Sequence, residues 1–147
     1  MFLVLNKIIK LMFILLRKIS PYTNEDIILG IFEGENLAQN ARKTYINHCL
    51  VLDKWASQAY VTVNLQEDVI IIDVTPILEL NKKLKNLDLF VVSQYFEGFG
   101  QIEREIKLIF NDVLSAKNYV DTAEEDIESV NYYDYEAIEI NKLYLDK

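Results

Sequence analysis

The chain has 147 residues, 51% of them hydrophobic, a single cysteine (Cys49) and a formal net charge of -8 at pH 7. This length suits one domain that buries about 70% of its unfolded surface and folds without a metal, and a lone thiol excludes an intrachain disulfide framework. The acidity argues against a basic surface for phosphate backbones, so direct nucleic-acid binding is not expected and a basic protein partner is favoured.

The first twenty residues run against the overall charge, carrying Lys7, Lys10, Arg17 and Lys18 with no acid. These charges interrupt and follow the apolar run, whereas a secretory signal places them before it, and the stretch from Leu11 to Leu16 is too short to span a bilayer. On a helix, Leu5, Ile8, Ile9, Met12, Leu15 and Leu16 cover most of the surface, with Asn6, Lys7, Lys10, Arg17 and Lys18 on one side. The pattern predicts an apolar, basic core or interface helix over residues 1–20. Docking on a membrane through residues 2–19 is a less favoured alternative.

Ser20 and Pro21 end that element, and Thr23 reads as the cap of a second helix with Glu25 and Asp26 in its first turn. A stripe of Ile27, Ile31, Gly34, Ala38, Ala41, Tyr45, His48 or Cys49, Leu52 and Ala56 continues it at helical spacing, with Gly34 as a break point. Val61, Val63 and Leu65 then alternate with Thr62 and Asn64, which predicts a strand that forms a hairpin with Val69–Val74. The second run is β-branched except for Asp73, as expected of a strand covered on both faces.

Thr75 and Pro76 open a short predicted helix with Ile77, Leu80, Leu84 and Leu87 on one side. Leu89–Val92 reads as a strand followed by a loop at Gly98 and Gly100. Ile102, Ile106, Ile109, Phe110, Val113 and Leu114 share a helical face, supported by Glu103 and Lys107 four apart. The final segment carries a helical stripe from Ala123 to Tyr144, with Asp121 and Glu124 resembling a capping box, but the tyrosines of 131–135 are poor helix formers. A helix to about Val130 is expected, then a continuation or an edge strand. The predicted fold is α+β: a single domain over 1–147, about five helices packed on a small, largely antiparallel sheet of three to four strands.

Little in this chain suggests catalysis. His48 and Cys49 are adjacent on one helix and project about 100° apart, so they do not form a nucleophile pair, and one of each cannot supply a zinc site. Asp73 reads as a strand-end carboxylate bonded near Thr75. A metal-dependent enzyme built on Asp73 with Glu79, Asp88 or Glu105 and Lys107 is a remote alternative, since Glu105 and Lys107 would lie about 200° apart on a helix. The glycines of 96–100 have the wrong spacing for a dinucleotide loop, no GxSxG elbow occurs, and the acids of 124–128 lack the spacing of a calcium loop. No catalytic residue, metal or cofactor is expected.

The remaining signal lies in residues 121–147, which hold nine acids against two bases. Glu124, Glu125, Asp126, Glu128, Asp134 and Glu136 surround Tyr132, Tyr133 and Tyr135, a mixture that suits an interface with a basic partner. The bland alternative packs these tyrosines on the core. In profile alone, a small, acidic, motif-poor chain resembles the immunity proteins and antitoxins that bacteria make against toxic nucleases. That resemblance implies a non-catalytic, cytoplasmic inhibitor that occludes a basic partner such as a toxin nuclease and mimics a phosphate surface. The second expectation is a structural or regulatory module that oligomerises or docks on a membrane through its N-terminal helix.

Overall fold

The computed structural model describes residues 11–18, 26–52, 65–81, 88–98, 101–125 and 131–147. Strand β1 (Met12–Arg17) lies at the centre of an antiparallel three-stranded sheet, flanked by β2 (Ile27–Glu33) and β3 (Val69–Asp73). Its side chains divide by alternation: Met12, Ile14 and Leu16 point into the space between two sheets, while Phe13 and Leu15 face a helix. That helix is α1 (Glu35–Leu52), whose Ala38, Ala41, Tyr45 and Ile46 pack on Leu15, Leu29, Phe32 and Val69. Gly34 makes the corner between β2 and α1 with φ 99°, a conformation that costs glycine little.

The second sheet has the order β4-β6-β5-β7, from β4 (Leu78–Glu79), β5 (Asp88–Gly98), β6 (Gln101–Phe110) and β7 (Tyr132–Glu139). The β4 to β6 pairing is parallel and the others are antiparallel. Helix α2 (Val113–Glu125) lies on the outer face, with Ala116 and Val120 against Val92. Leu89, Val91, Ile109 and Ile138 form the inner face and meet Met12, Ile14, Leu16, Ile28 and Ile31 of the first sheet. The described residues therefore build four layers: α1, the three-stranded sheet, the four-stranded sheet and α2.

The C-terminal residues tie the two sheets together. Ile140 bridges to Ile31, the amide of Asn141 donates to the Ile31 carbonyl at 2.7 Å, and that of Tyr144 donates to the Leu29 carbonyl at 2.8 Å, covering the outer edge of β2. Gly30 permits this approach: a Cβ there would stand 2.6 Å from the Lys142 carbonyl oxygen.

These findings correct the expectation of about five helices on one small sheet. The described residues hold two helices of seven or more residues, a 3-10 turn at Thr75–Ile77, and two sheets of three and four strands. Met12–Arg17, Ile27–Glu33 and Gln101–Phe110 are strands, although each carries helix-like apolar spacing. The cause in the last two is a bulge. Between Leu15 and Leu16 the register slips so that Leu29 has no opposite residue, which puts Ile28 and Ile31 on one face three apart. Lys107 is likewise skipped between Leu108 and Ile106, so Ile106 and Ile109 share a face.

Other expectations are revised more locally. β3 pairs with β1; residues 60–64 of the expected hairpin lie outside the described residues, and Leu65 sits in a helical turn. The helix expected after Pro76 is a 3-10 turn followed by β4, and residues 82–87 lie outside the described residues. Asp121 is inside α2, whose actual cap is Asp112, accepting from the Leu114 amide at 3.1 Å and the Ser115 hydroxyl at 2.8 Å. Of the expected N-terminal helix, residues 1–10 lie outside the described residues and 12–17 are strand. Among the described residues no helix is long and apolar enough to cross a membrane.

Candidate functional site

The tyrosine-rich stretch forms an edge strand, and alternation along it separates the residues that the sequence groups together. Tyr133 and Tyr135 face α2. Tyr133 meets the Tyr119 ring edge-on at 6.1 Å and Tyr135 meets Phe90 at 6.3 Å, around Val92, Ala116 and Val120. These two rings are packing residues of the helix layer. Tyr132, Asp134 and Glu136 lie on the opposite face of β7, in line with the fully buried Ile138.

On that inner face the sheet changes from apolar to polar toward the Tyr132 end. Tyr132 lies directly across from Tyr95 on β5, and their rings stack at 4.9 Å with planes 12° apart. Arg104 on β6 is the other cross-strand neighbour of Tyr95, with its guanidinium 5.5 Å from the ring centre. Its side chain is only 7% exposed. It donates from Nε to the buried Ser93 hydroxyl at 2.8 Å, from Nη1 to the Asp26 carbonyl at 3.0 Å and from Nη2 to Glu136 Oε1 at 2.6 Å. Lys147 Nζ donates to the second Glu136 oxygen at 3.1 Å and to the Ile28 carbonyl at 3.2 Å, beside the Tyr144 ring.

The charges here are mutually neutralised, and the shifts in acidity report it. Burial pushes the Glu136 carboxyl up, but the Arg104 hydrogen bond and charge, joined by Lys147, outweigh it and hold the group below the ordinary carboxylate value. Burial raises the Tyr95 hydroxyl, opposed by Arg104 and assisted by Glu136 and Asp134. Asp26 is also raised by burial, against the pull of Lys18 and Arg104. A cleft of about 300 Å³ opens beside this cluster, bounded by Asp26, Tyr95, Arg104, Glu136 and Lys147. Two cations face two carboxylates across it, and the Ser93 hydroxyl is committed to Arg104. The cluster joins β2, β5, β6, β7 and the C-terminus; it presents no activated nucleophile.

Of the nine residues singled out for partner binding, β7 thus turns Tyr132, Asp134 and Glu136 to one face and Tyr133 and Tyr135 to the other. Glu136 is internally paired, whereas Asp134 is exposed, as is Glu139 further along the strand. Glu124 and Glu125 fall in the last turn of α2, and Asp126 and Glu128 lie outside the described residues. Sequence reasoning missed Arg104, Ser93, Tyr95 and Lys147. The signal was a cation at an inward position of the alternation Ile102, Arg104, Ile106, which a helical reading of this segment conceals.

The other candidates resolve simply. Asp73 is exposed and accepts the Thr75 amide at 3.0 Å; hydrogen bonds from the Thr75 hydroxyl and amide hold its carboxyl below the ordinary value. Glu105 and Lys107, expected far apart on a helix, form an ion pair of 3.1 Å on β6. Among the described residues no group of three or more His, Cys, Asp or Glu is placed to hold a metal. Cys49 is a half-buried free thiol 3.9 Å from Arg17 Nη1, which also donates to the Tyr45 hydroxyl at 2.7 Å. Comparison with family models, with curated proteins and with solved structures finds no match to this chain.

Proposed function

We propose that this chain is a non-catalytic binding protein that engages a basic protein partner through the acidic β7 side of its four-stranded sheet. The observation that carries the reading is the placement of exposed Asp134 and Glu139 on an edge strand, within a C-terminal segment of nine acids and two bases. Such a surface attracts a basic partner over long range and raises its rate of encounter. Glu136 contributes differently, because Arg104 and Lys147 neutralise it; its role is to hold β7 in place. Tyr132, stacked on Tyr95, adds a rigid aromatic contact at the end of the same face. An inhibitor of the immunity or antitoxin kind fits this description, working by occlusion of a basic active surface in a reducing cytoplasm where Cys49 remains a thiol.

The test starts from the partner captured by the full chain in its source cells, with association followed at low and high ionic strength. Asp134→Lys with Glu139→Lys slows association by about tenfold or more and flattens its salt dependence. Glu35→Lys with Glu67→Lys, on the α1 side, leaves it nearly unchanged. A partner without a basic surface, or equal slowing by both pairs, removes the reading.

A further inference from the structure

The direction in which the β7 backbone points adds a binding mode to this acidic surface. Two outward amides are met by side chains: Tyr135 donates to Asp134 Oδ1 at 2.8 Å and Glu139 donates to the Tyr144 hydroxyl at 3.0 Å. Alternate residues of a strand send their N–H and C=O groups to the same side, so Tyr133 and Ala137 direct theirs outward as well. Among the described residues no strand pairs with this edge from Tyr132 to Ile138, while at its far end the chain turns onto β2 through the Ile31–Ile140 bridge. Among the described residues the other edges are partly covered, and the stretch of β6 that β4 leaves open carries Arg104 and Lys107 beside its acids, which suits a basic strand less well. The C-terminal residues line β2, Arg42 Nε donates to the Val69 carbonyl at 2.8 Å on β3, and β4 has two residues.

We propose that the outer edge of β7 takes up an extended, basic segment of the partner as a fifth strand of the sheet. This rests on the acidic-binding reading above and specifies its geometry. In the free protein the exposed Asp134 carboxylate caps the Tyr135 amide and blunts the edge. A lysine or arginine on the incoming strand, on the same face as Asp134, lies within reach of that carboxylate, draws it away and releases the amide to the new ladder. An acidic or neutral strand has no such means of displacing the cap. A second copy of this chain would set Asp134 beside an equally acidic strand, so the same carboxylate opposes self-pairing.

The probe is a ten-residue peptide of alternating lysine and threonine, titrated into the full chain. It is compared with two versions N-methylated either at every lysine or at every threonine amide. A strand added at an edge turns only one alternate set of amides toward its neighbour. One methylated peptide therefore keeps its affinity while the other loses about tenfold or more, since several ladder hydrogen bonds disappear together. Ala137→Pro, which removes an amide that no β5 bond uses, weakens the unmodified peptide with the fold unchanged by circular dichroism.

Equal binding of both methylated peptides, still dependent on Asp134 and Glu139, overturns strand addition and leaves the acidic-surface reading standing. Absence of binding by the unmodified peptide overturns strand addition outright, while the kinetics of the captured partner judge the broader reading independently. A chain that sediments alone as a dimer paired through β7 assigns the edge to a second copy and also overturns the proposal.

Discussion

Replacing Arg104 by methionine keeps much of the aliphatic stem and removes the charge and every hydrogen bond of the guanidinium. The fully buried Ser93 hydroxyl then loses the donor at 2.8 Å, a loss of about 1–3 kcal/mol for an orphaned polar group. Glu136 loses one of its two cations, but its side chain is 34% exposed and Lys147 remains, so about 1 kcal/mol is the appropriate size for that part. The expected destabilisation is about 3 kcal/mol, within the 5–15 kcal/mol typical of a domain, so the variant stays folded with its Tm lowered by about 10 °C. Urea unfolding followed by circular dichroism measures it. The pH dependence supplies a second check. Because Glu136 is held below the ordinary value of 4.5, the stability it contributes is present above that value and fades as pH falls through the lower folded one. The difference between wild type and Arg104→Met is therefore largest at neutral pH and narrows below about pH 4.5. A loss under about 1 kcal/mol, or a difference that persists unchanged in acid, refutes the assignment of Arg104 as the charged tie of the sheet.

Gly30→Ala places a Cβ against the Lys142 carbonyl oxygen and the Phe32 ring, at 2.6 and 2.7 Å. It is expected to cost about 1–3 kcal/mol and to speed amide exchange at Asn141 and Tyr144, whose bonds hold the C-terminus to β2. Asp112→Ala removes the cap of α2 and lowers stability by about 1 kcal/mol in urea unfolding. Asp26→Asn acts in the opposite direction. The folded state favours the protonated form of this raised carboxyl, so the substitution raises Tm at neutral pH, and the gain fades as pH falls below the raised folded value and is gone below the ordinary 3.8.

The fold was partly legible, and the misreadings have a common physical source. Val69–Asp73 was readable as a strand from its β-branched run, whereas after Val130 a helical continuation and an edge strand both stayed open, because the helical stripe runs on while 131–135 resists helix. The alternation of β2 and β6 was concealed by one skipped residue in each. A bulge converts spacings of two into spacings of three, and Ile28 with Ile31, or Ile106 with Ile109, then imitates a helical face. β1 was concealed differently: as a central strand covered on both faces it is apolar at nearly every position, and such a run satisfies any period. The site followed from these errors. Glu103 and Lys107 looked like a helical pair, so the inward Arg104 between Ile102 and Ile106 went unnoticed, and the acidic tyrosine cluster looked like one surface when the strand divides it between two.

Residue-resolved amide exchange of the full chain, alone and with its captured partner, shows whether the partner occupies the β7 edge. With the partner on the β7 edge, the outward amides of Tyr133 and Ala137 slow by about tenfold or more on binding, with α1 unchanged. Protection confined to α1 or β3, with the β7 edge exchanging as before, would contradict that placement.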